Sequence, residues 1–130
     1  MTSTVFIVDD SEPLRELVGE YLDLEPDLSV CGVAASGEEA LVSLDGQSCD
    51  LVLIDVSMPG MDGLTLAGRL RARAPGLRCL MYSAHAGEDH ERQAREAGAA
   101  GFVTKGNPQA LLTAIRQIVS GGEFFGDSLG

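Results

Sequence analysis

Short apolar runs rich in β-branched residues recur along this chain, separated by stretches whose apolar residues fall on one helical face. That alternation constrains the fold more than any other feature. Val5-Phe6-Ile7-Val8 is a continuous apolar run, the pattern of a strand buried on both faces. Ser11 then stands as an N-cap with Pro13 in the first turn. Leu14, Leu17, Val18, Tyr21 and Leu22 follow at i, i+3, i+4, i+7 and i+8, one helical stripe that Glu25-Pro26-Asp27 ends. Leu28 to Ala35 predicts a second strand, and Ser36-Gly37-Glu38-Glu39 has the capping-box pattern ahead of Ala40, Leu41 and Leu44. Leu51-Val52-Leu53-Ile54 is a third strand running straight into Asp55. The loop Met58-Pro59-Gly60-Met61-Asp62-Gly63 leads to a helix carrying Leu64, Ala67 and Leu70. Leu77 to Tyr82 predicts a fourth strand and Phe102-Val103 the centre of a fifth. Asn107-Pro108 starts a last helix with Leu111, Leu112, Ile115, Ile118 and Val119, stopped by Gly121-Gly122. Buried strands in strict alternation with helices imply an α/β fold, a doubly wound, five-stranded parallel sheet covered on both faces.

The predicted helix between strands four and five is unlike the others. From Ser83 to Gly101 no large apolar residue occurs, so a helix there has little area to bury. Two readings stay open: a weakly held element beside a chemical site, or a surface helix packed through alanines.

A length of 130 residues suits one compact domain, and no repeat, low-complexity tract or linker interrupts residues 1–120. The longest apolar runs reach four or five residues, far below the ~20 needed to cross a bilayer, and no export signal opens the chain. Cys31, Cys49 and Cys79 are an odd, sparse set without metal-ligand spacing and read as small hydrophobes in a reducing compartment, which implies a cytoplasmic home. Twenty acidic against nine basic residues give a net charge of −11. Such a surface repels nucleic acid and anionic membranes. It admits cations such as Mg²⁺ where carboxylates cluster.

In an open α/β sheet, ligands bind beyond the carboxyl ends of the strands, at the switch point. Asp9 and Asp10 follow strand one, Asp55 follows strand three, Ser83 strand four and Lys105 strand five. With strands one and three adjacent, three carboxylates meet at one lip, where each disfavours ionisation of the others. A divalent cation with oxygen ligands removes that repulsion, and Mg²⁺ commonly bridges carboxylates to a phosphate. A carboxylate nucleophile can then take a phosphoryl group, with Lys105 supplying a second positive charge and Ser83 a hydrogen bond.

These residues resemble the response-regulator receiver family closely. The likeness rests on Val8-Asp9-Asp10, on Asp55 followed by Met58-Pro59-Gly60-Met61-Asp62-Gly63, on Tyr82-Ser83-Ala84, and on Gly101-Phe102-Val103-Thr104-Lys105. It covers roughly residues 4–120. The resemblance, not the pattern, implies the flavodoxin-like strand order 2-1-3-4-5. It also implies roles: Asp55 as phosphoacceptor, and Mg²⁺ held by Asp10, Asp55 and the Ser57 backbone carbonyl, with Asp9 acting through a water. Lys105 would pair with the phosphate, and Ser83 and Phe102 would turn inward as the switch. A histidine kinase or phosphotransfer protein would donate the phosphoryl group, and a changed face would be read by a partner or by a second copy in a homodimer.

Many receivers carry Pro after the strand-five lysine, where this chain has Gly106; a cis peptide is therefore not expected there. Ser57 is short and leaves a phosphate open to water, and His85 lies two residues past Ser83; both are expected to tune phosphoryl lifetime. His90 reads as a solvated helix residue. Residues 1–122 are expected to form the receiver and 123–130 a C-terminal tail or the start of a linker. The end Ser120-Gly121-Gly122-Glu123-Phe124-Phe125 resembles receivers that continue into a helix-turn-helix output domain, which points to transcription regulation. No basic recognition helix occurs within the 130 residues, so a free-standing receiver and part of a longer regulator both stay open. The rivals differ in chemistry. A haloacid-dehalogenase-type enzyme wants a second Asp where Ser57 stands, and an FMN carrier wants a Ser/Thr/Gly-rich loop where Asp9 and Asp10 stand. No enzyme is expected. The alternative within the same fold is a degenerate receiver, a protein-binding module independent of phosphorylation.

Overall fold

The strands form because runs such as Val5–Val8 and Leu51–Ile54 leave no polar side chain to solvate, and only a sheet covered twice buries both faces. In the computed structural model, which describes residues 2–85 and 88–125 (Glu88 by its backbone alone), five strands and five helices alternate. They are β1 (Ser3–Val8), α1 (Glu12–Asp23), β2 (Leu28–Ala34), α2 (Gly37–Ser43), β3 (Leu51–Asp55), α3 (Gly63–Arg73), β4 (Arg78–Ser83), α4 (Glu88–Glu96), β5 (Gly101–Thr104) and α5 (Pro108–Val119). All pairs are parallel, in the order β2-β1-β3-β4-β5. This is the doubly wound, flavodoxin-like sheet. The chain steps from β1 outward to β2, then crosses back over β1 to β3, which puts the switch point between β1 and β3.

Alternation along each strand divides the core in two. Val5, Ile7, Leu51, Leu53, Leu80, Tyr82 and Val103 face α1 and α5, against Val18, Leu22, Leu111, Ile115 and Ile118. Phe6, Val8, Val52, Ile54, Cys79, Met81 and Phe102 face α2, α3 and α4. Helix starts follow the sequence signals. Ser11 accepts from Leu14 N–H, Asn107 from Ala110 N–H and Asp62 from Thr65 N–H. Ser36 accepts from Glu39 N–H, while Glu39 reaches back to Ala35 N–H rather than to the cap itself. Across the sheet from these starts, Arg116 on α5 grips Asp27 with two bonds of 2.9 Å and Glu25 at 2.6 Å, fixing α5 to the turn before β2.

Some expected positions differ. Leu17 is 63% exposed, since α1 presents only Val18 and Leu22 fully to the sheet. On α3, Leu66 rather than Leu64 is buried beside Ala67 and Leu70. Cys79 is buried and Cys31 and Cys49 are half-buried, all as free thiols. Burial pushes the Cys49 and Cys79 thiols up to about 12, so neither is a thiolate at neutral pH. No cis peptide occurs among the described residues, and Gly106 takes a φ of +93°, a left-handed conformation suited to glycine.

Residues 123–125 lie against the sheet. Phe124 forms a parallel bridge with Gly101, donating its N–H to Ala100 and accepting from Phe102 N–H at 2.9 Å. Arg95 of α4 lies 3.8 Å from the Phe125 ring centroid. A side chain at residue 101 would meet the Phe124 carbonyl, which is why glycine stands there. The rest of the expected tail, 126–130, lies outside the described residues, as do Met1, Ala86 and Gly87.

Of α4 residues 89–96, only Ala94 is buried, and His90 is half-buried rather than solvated. The His90 ring lies 6.3 Å from Phe102 and 6.4 Å from His85, so α4 leans on β5 through a histidine instead of an aliphatic face. With so little apolar area to hold it, α4 is expected to open locally. Hydrogen exchange of its amides should be faster than that of α5 by at least about tenfold. Equal protection in the two helices would contradict this.

Candidate functional site

The strand ends deliver their polar residues to one side of the sheet. Asp9 follows β1 and is fully buried, while Asp10 beside it is exposed. Asp55 ends β3 and Ser83 ends β4, both buried. Lys105 follows β5. Register sets this convergence: Ile54 pairs with Val8 on one side and with Met81 on the other, and Ser83 with Thr104. Carboxylate oxygens of Asp9, Asp10 and Asp55, one from each, lie within 4.8 Å of one another.

Lys105 binds the group together. Its Nζ lies 3.2 Å from Asp55 Oδ2 and 3.4 Å from Asp9 Oδ2. The remaining oxygens take backbone donors: Ser57 N–H to Asp55 Oδ1 at 3.1 Å, and Ser11 N–H to Asp9 Oδ1 at 2.8 Å. Burial holds the Asp55 carboxyl above its ordinary value. The Asp9 charge adds to this, while Lys105 and the Ser57 N–H pull it down. Ser83 Oγ accepts from His85 N–H at 3.1 Å and keeps its own proton to donate. Lys105 N–H donates to Ser83 O at 2.7 Å, tying the two strand ends together. Ser57 and His85 are exposed at the rim, and Phe102 is buried behind α4.

Gly63 fixes the Asp55 backbone. A Cβ there would stand 2.2 Å from the Asp55 carbonyl oxygen, so only glycine lets the start of α3 pack this closely under β3. Two further contributors were not singled out from sequence. Arg15 of α1 donates to the Asp9 carbonyl at 2.7 Å. Tyr82, buried on the α1 and α5 face, donates its hydroxyl to Asp9 Oδ2, and its ring lies 4.7 Å below Lys105 Nζ. Burial, and then that bond to Asp9, raise the Tyr82 phenol far above its ordinary value. The signal was a polar-tipped aromatic at the end of the buried run Cys79-Leu80-Met81, since a buried tyrosine hydroxyl needs a partner.

Hard oxygen donors at this spacing, with two of the three carboxylates buried, fit a divalent cation of the Mg²⁺ type. Beside it, Asp55 offers a nucleophilic oxygen, with Lys105 and Ser83 as positive and neutral donors around it. The fold and this site define a class, a parallel α/β domain that gathers three carboxylates, a lysine and a hydroxyl at the carboxyl ends of its strands.

The response regulator receiver domain family matches residues 5–116, and the chain belongs to that family. It is 32% identical over 120 residues to the nitrate/nitrite response regulator protein NarL of Escherichia coli K12, covering 92% of this chain and 56% of NarL. It is 37% identical over 120 residues to the transcriptional regulatory protein UhpA of the same strain, covering 92% of this chain and 60% of UhpA. The chain thus spans little more than half the length of these curated relatives. A crystal structure of a LuxR-family two-component response regulator from Aurantimonas sp. SI85-9A1 superposes with a TM-score of 0.94 at 29% identity, covering 98% of this chain and 92% of that one.

The raised Asp55 carboxyl has a consequence for stability. Its proton is held more tightly in the folded than in the unfolded chain, so stability falls as pH rises from the ordinary 3.8 through the higher folded value. Asp55→Asn is expected to raise the unfolding free energy in metal-free buffer at neutral pH. The gain should shrink to nothing in acid below 3.8. Urea unfolding of both proteins across that range checks it; a pH-independent difference would contradict the assignment.

Proposed function

We propose that this domain is a phosphorelay receiver that accepts a phosphoryl group on Asp55 from a histidine kinase or phosphotransfer protein. The observation that carries the reading is Lys105 Nζ set between the buried Asp55 and Asp9 carboxylates, with Asp10 at the same lip. Asp10, the Asp55 carboxylate and the Ser57 carbonyl would hold Mg²⁺, with Asp9 acting through a water. Held by these residues, Mg²⁺ would supply positive charge to the phosphoryl oxygens. An Asp55 oxygen forms the new bond to phosphorus as the bond from phosphorus to the donor nitrogen breaks. The departing imidazole keeps its electron pair and takes a proton from solvent. Lys105 exchanges part of its pairing with Asp55 for a phosphoryl oxygen, and the Ser83 hydroxyl donates to another.

The output is a population shift. Ser83 and Phe102 turn toward the phosphorylated site, and the face formed by β4, α4, β5 and α5 changes for a partner or a second copy to read. Phe102 contacts His90 of α4, so β5 and the weakly held helix share one surface. Similarity to the transcriptional regulatory protein UhpA supports a role in transcription regulation, through an output outside this domain, and the sparse, unpaired cysteines support a cytoplasmic home. The acidic balance of −11 supports leaving nucleic acid and membranes to other parts. No described helix is long and apolar enough to cross a membrane. The domain is a phosphoacceptor rather than a turnover enzyme.

Incubation with Mg²⁺ and acetyl phosphate, followed by intact mass, tests the reading. Wild type is expected to gain one base-labile phosphoryl group and Asp55→Ala none. A folded, Mg²⁺-binding wild type without the gain would favour the phosphorylation-independent binding module. The rim residues set how long the group lasts, because Ser57 and His85 are exposed beside the acceptor and Ser83. Replacing Ser57 by Asn and, separately, His85 by Ala should each change aspartyl-phosphate decay several-fold, followed by loss of the added mass. Unchanged decay in both would remove them from this role.

A further inference from the structure

We propose that Tyr82 is a positioning residue whose hydroxyl stabilises the metal-free acidic pocket by holding Asp9, and thereby competes with a divalent cation for that carboxylate. This rests on the receiver reading of the site. It adds a residue whose effect is to weaken cation binding rather than to assist it.

Asp9 is fully buried, and a buried carboxylate is costly without donors around it. The site holds one lysine for two buried acids, with Nζ 3.4 Å from Asp9 and 3.2 Å from Asp55. Lys105 therefore leaves each acid incompletely compensated. The Tyr82 hydroxyl supplies the missing donor at Asp9 Oδ2, the oxygen that Lys105 also reaches. Packing does not require that hydroxyl, because the ring alone fills its place among the apolar residues facing α1 and α5. The same ring lies under Lys105 Nζ at 4.7 Å, so one side chain steadies both the anion and the cation of the resting pocket.

A phenol bonds most strongly to a carboxylate that keeps its full charge. A divalent cation at the lip draws charge from the Asp9 oxygens, directly or through water, and weakens the bond from Tyr82. The hydroxyl thus stabilises the metal-free state more than the metal-bound one. By reciprocity, it lowers cation affinity by the same factor by which the cation weakens the Tyr82 bond. Loss of the hydroxyl leaves Asp9 oriented, because the Ser11 N–H still holds Oδ1 at 2.8 Å.

The test is calorimetric titration of wild type and Tyr82→Phe with MgCl₂ alone, joined to thermal melts in EDTA and in saturating Mg²⁺. The variant is expected to bind Mg²⁺ about tenfold more tightly, the scale of a hydrogen bond to a charged group. Its melting temperature should fall in EDTA and recover toward wild type in saturating Mg²⁺. Equal or weaker Mg²⁺ binding, or an equal loss of melting temperature in both buffers, would overturn the inference and leave Tyr82 a structural or orienting group. A second readout keeps Tyr82 intact. The chain has two tyrosines and no tryptophan, so a Tyr21→Phe protein reports Tyr82 emission alone. That emission, quenched by the carboxylate partner, should rise on adding Mg²⁺, and a constant signal at saturation would overturn the inference. Wild type that binds no Mg²⁺ at all would take the receiver reading down with it. Tight wild-type binding unchanged in Tyr82→Phe would sink this inference alone.

Discussion

Two carboxylates buried side by side cannot both be charged without a cation, and Lys105 is the cation on which this site depends. It comes from beyond β5, while Asp9 and Asp55 come from β1 and β3, and β4 lies between. The ion pairs therefore form only when four strands are in order and in register. The chemistry is a property of the completed sheet, since no helix or hairpin of this chain holds it separately. Backbone N–H groups of Ser11 and Ser57 complete the arrangement, so its geometry is fixed by main chain as much as by side chains.

Such a pocket opposes folding, and the rest of the domain offsets it. The central stretches of the strands that carry the acids are apolar, with Val5, Ile7, Val8 and Leu51 to Ile54 at zero exposure. Local conflict concentrated at one end of a consistent scaffold is the usual mark of a working site. The covering is thinnest where α4 packs over β5. There α4 contributes Ala94 and the half-buried His90, in place of the aliphatic stripe that α5 carries.

Most of this was legible in the sequence because strand burial, helix caps and strand-end residues are local signals. Ser11, Ser36 and Asn107 cap the helices that their positions announce, and the acids, Ser83 and Lys105 lie where each apolar run stops. What escaped depends on tertiary direction. Helical spacing put Leu17 on the α1 stripe, but only Val18 and Leu22 of that stripe are buried on the sheet, and Leu17 falls outside it. On α3, Leu66 is buried although the spacing passed it over, while Leu64 is half-buried against the core. His90 carries no apolar signal, and only its contact with Phe102 reveals that it is half-buried. Tyr82 lies in a run that reads as core, and nothing local shows that its hydroxyl ends on Asp9, 73 residues away. The sheet order was not legible at all from pattern. It came with the family likeness, and the observed pairing agrees with it.

The short segment after Gly122 has a bearing on how the domain keeps to itself. Without Phe124, the outer edge of β5 would present the Phe102 N–H and the Ala100 carbonyl unpaired, a template onto which another extended chain could add. Phe124 answers both groups in cis, and Arg95 clasps the neighbouring Phe125 ring from α4. A protein trimmed at Gly122, where the last helix has just ended, would lose that seal and acquire a sticky margin beside Phe102. The three residues act as a selvedge, finishing the outer edge of the sheet beside Phe102.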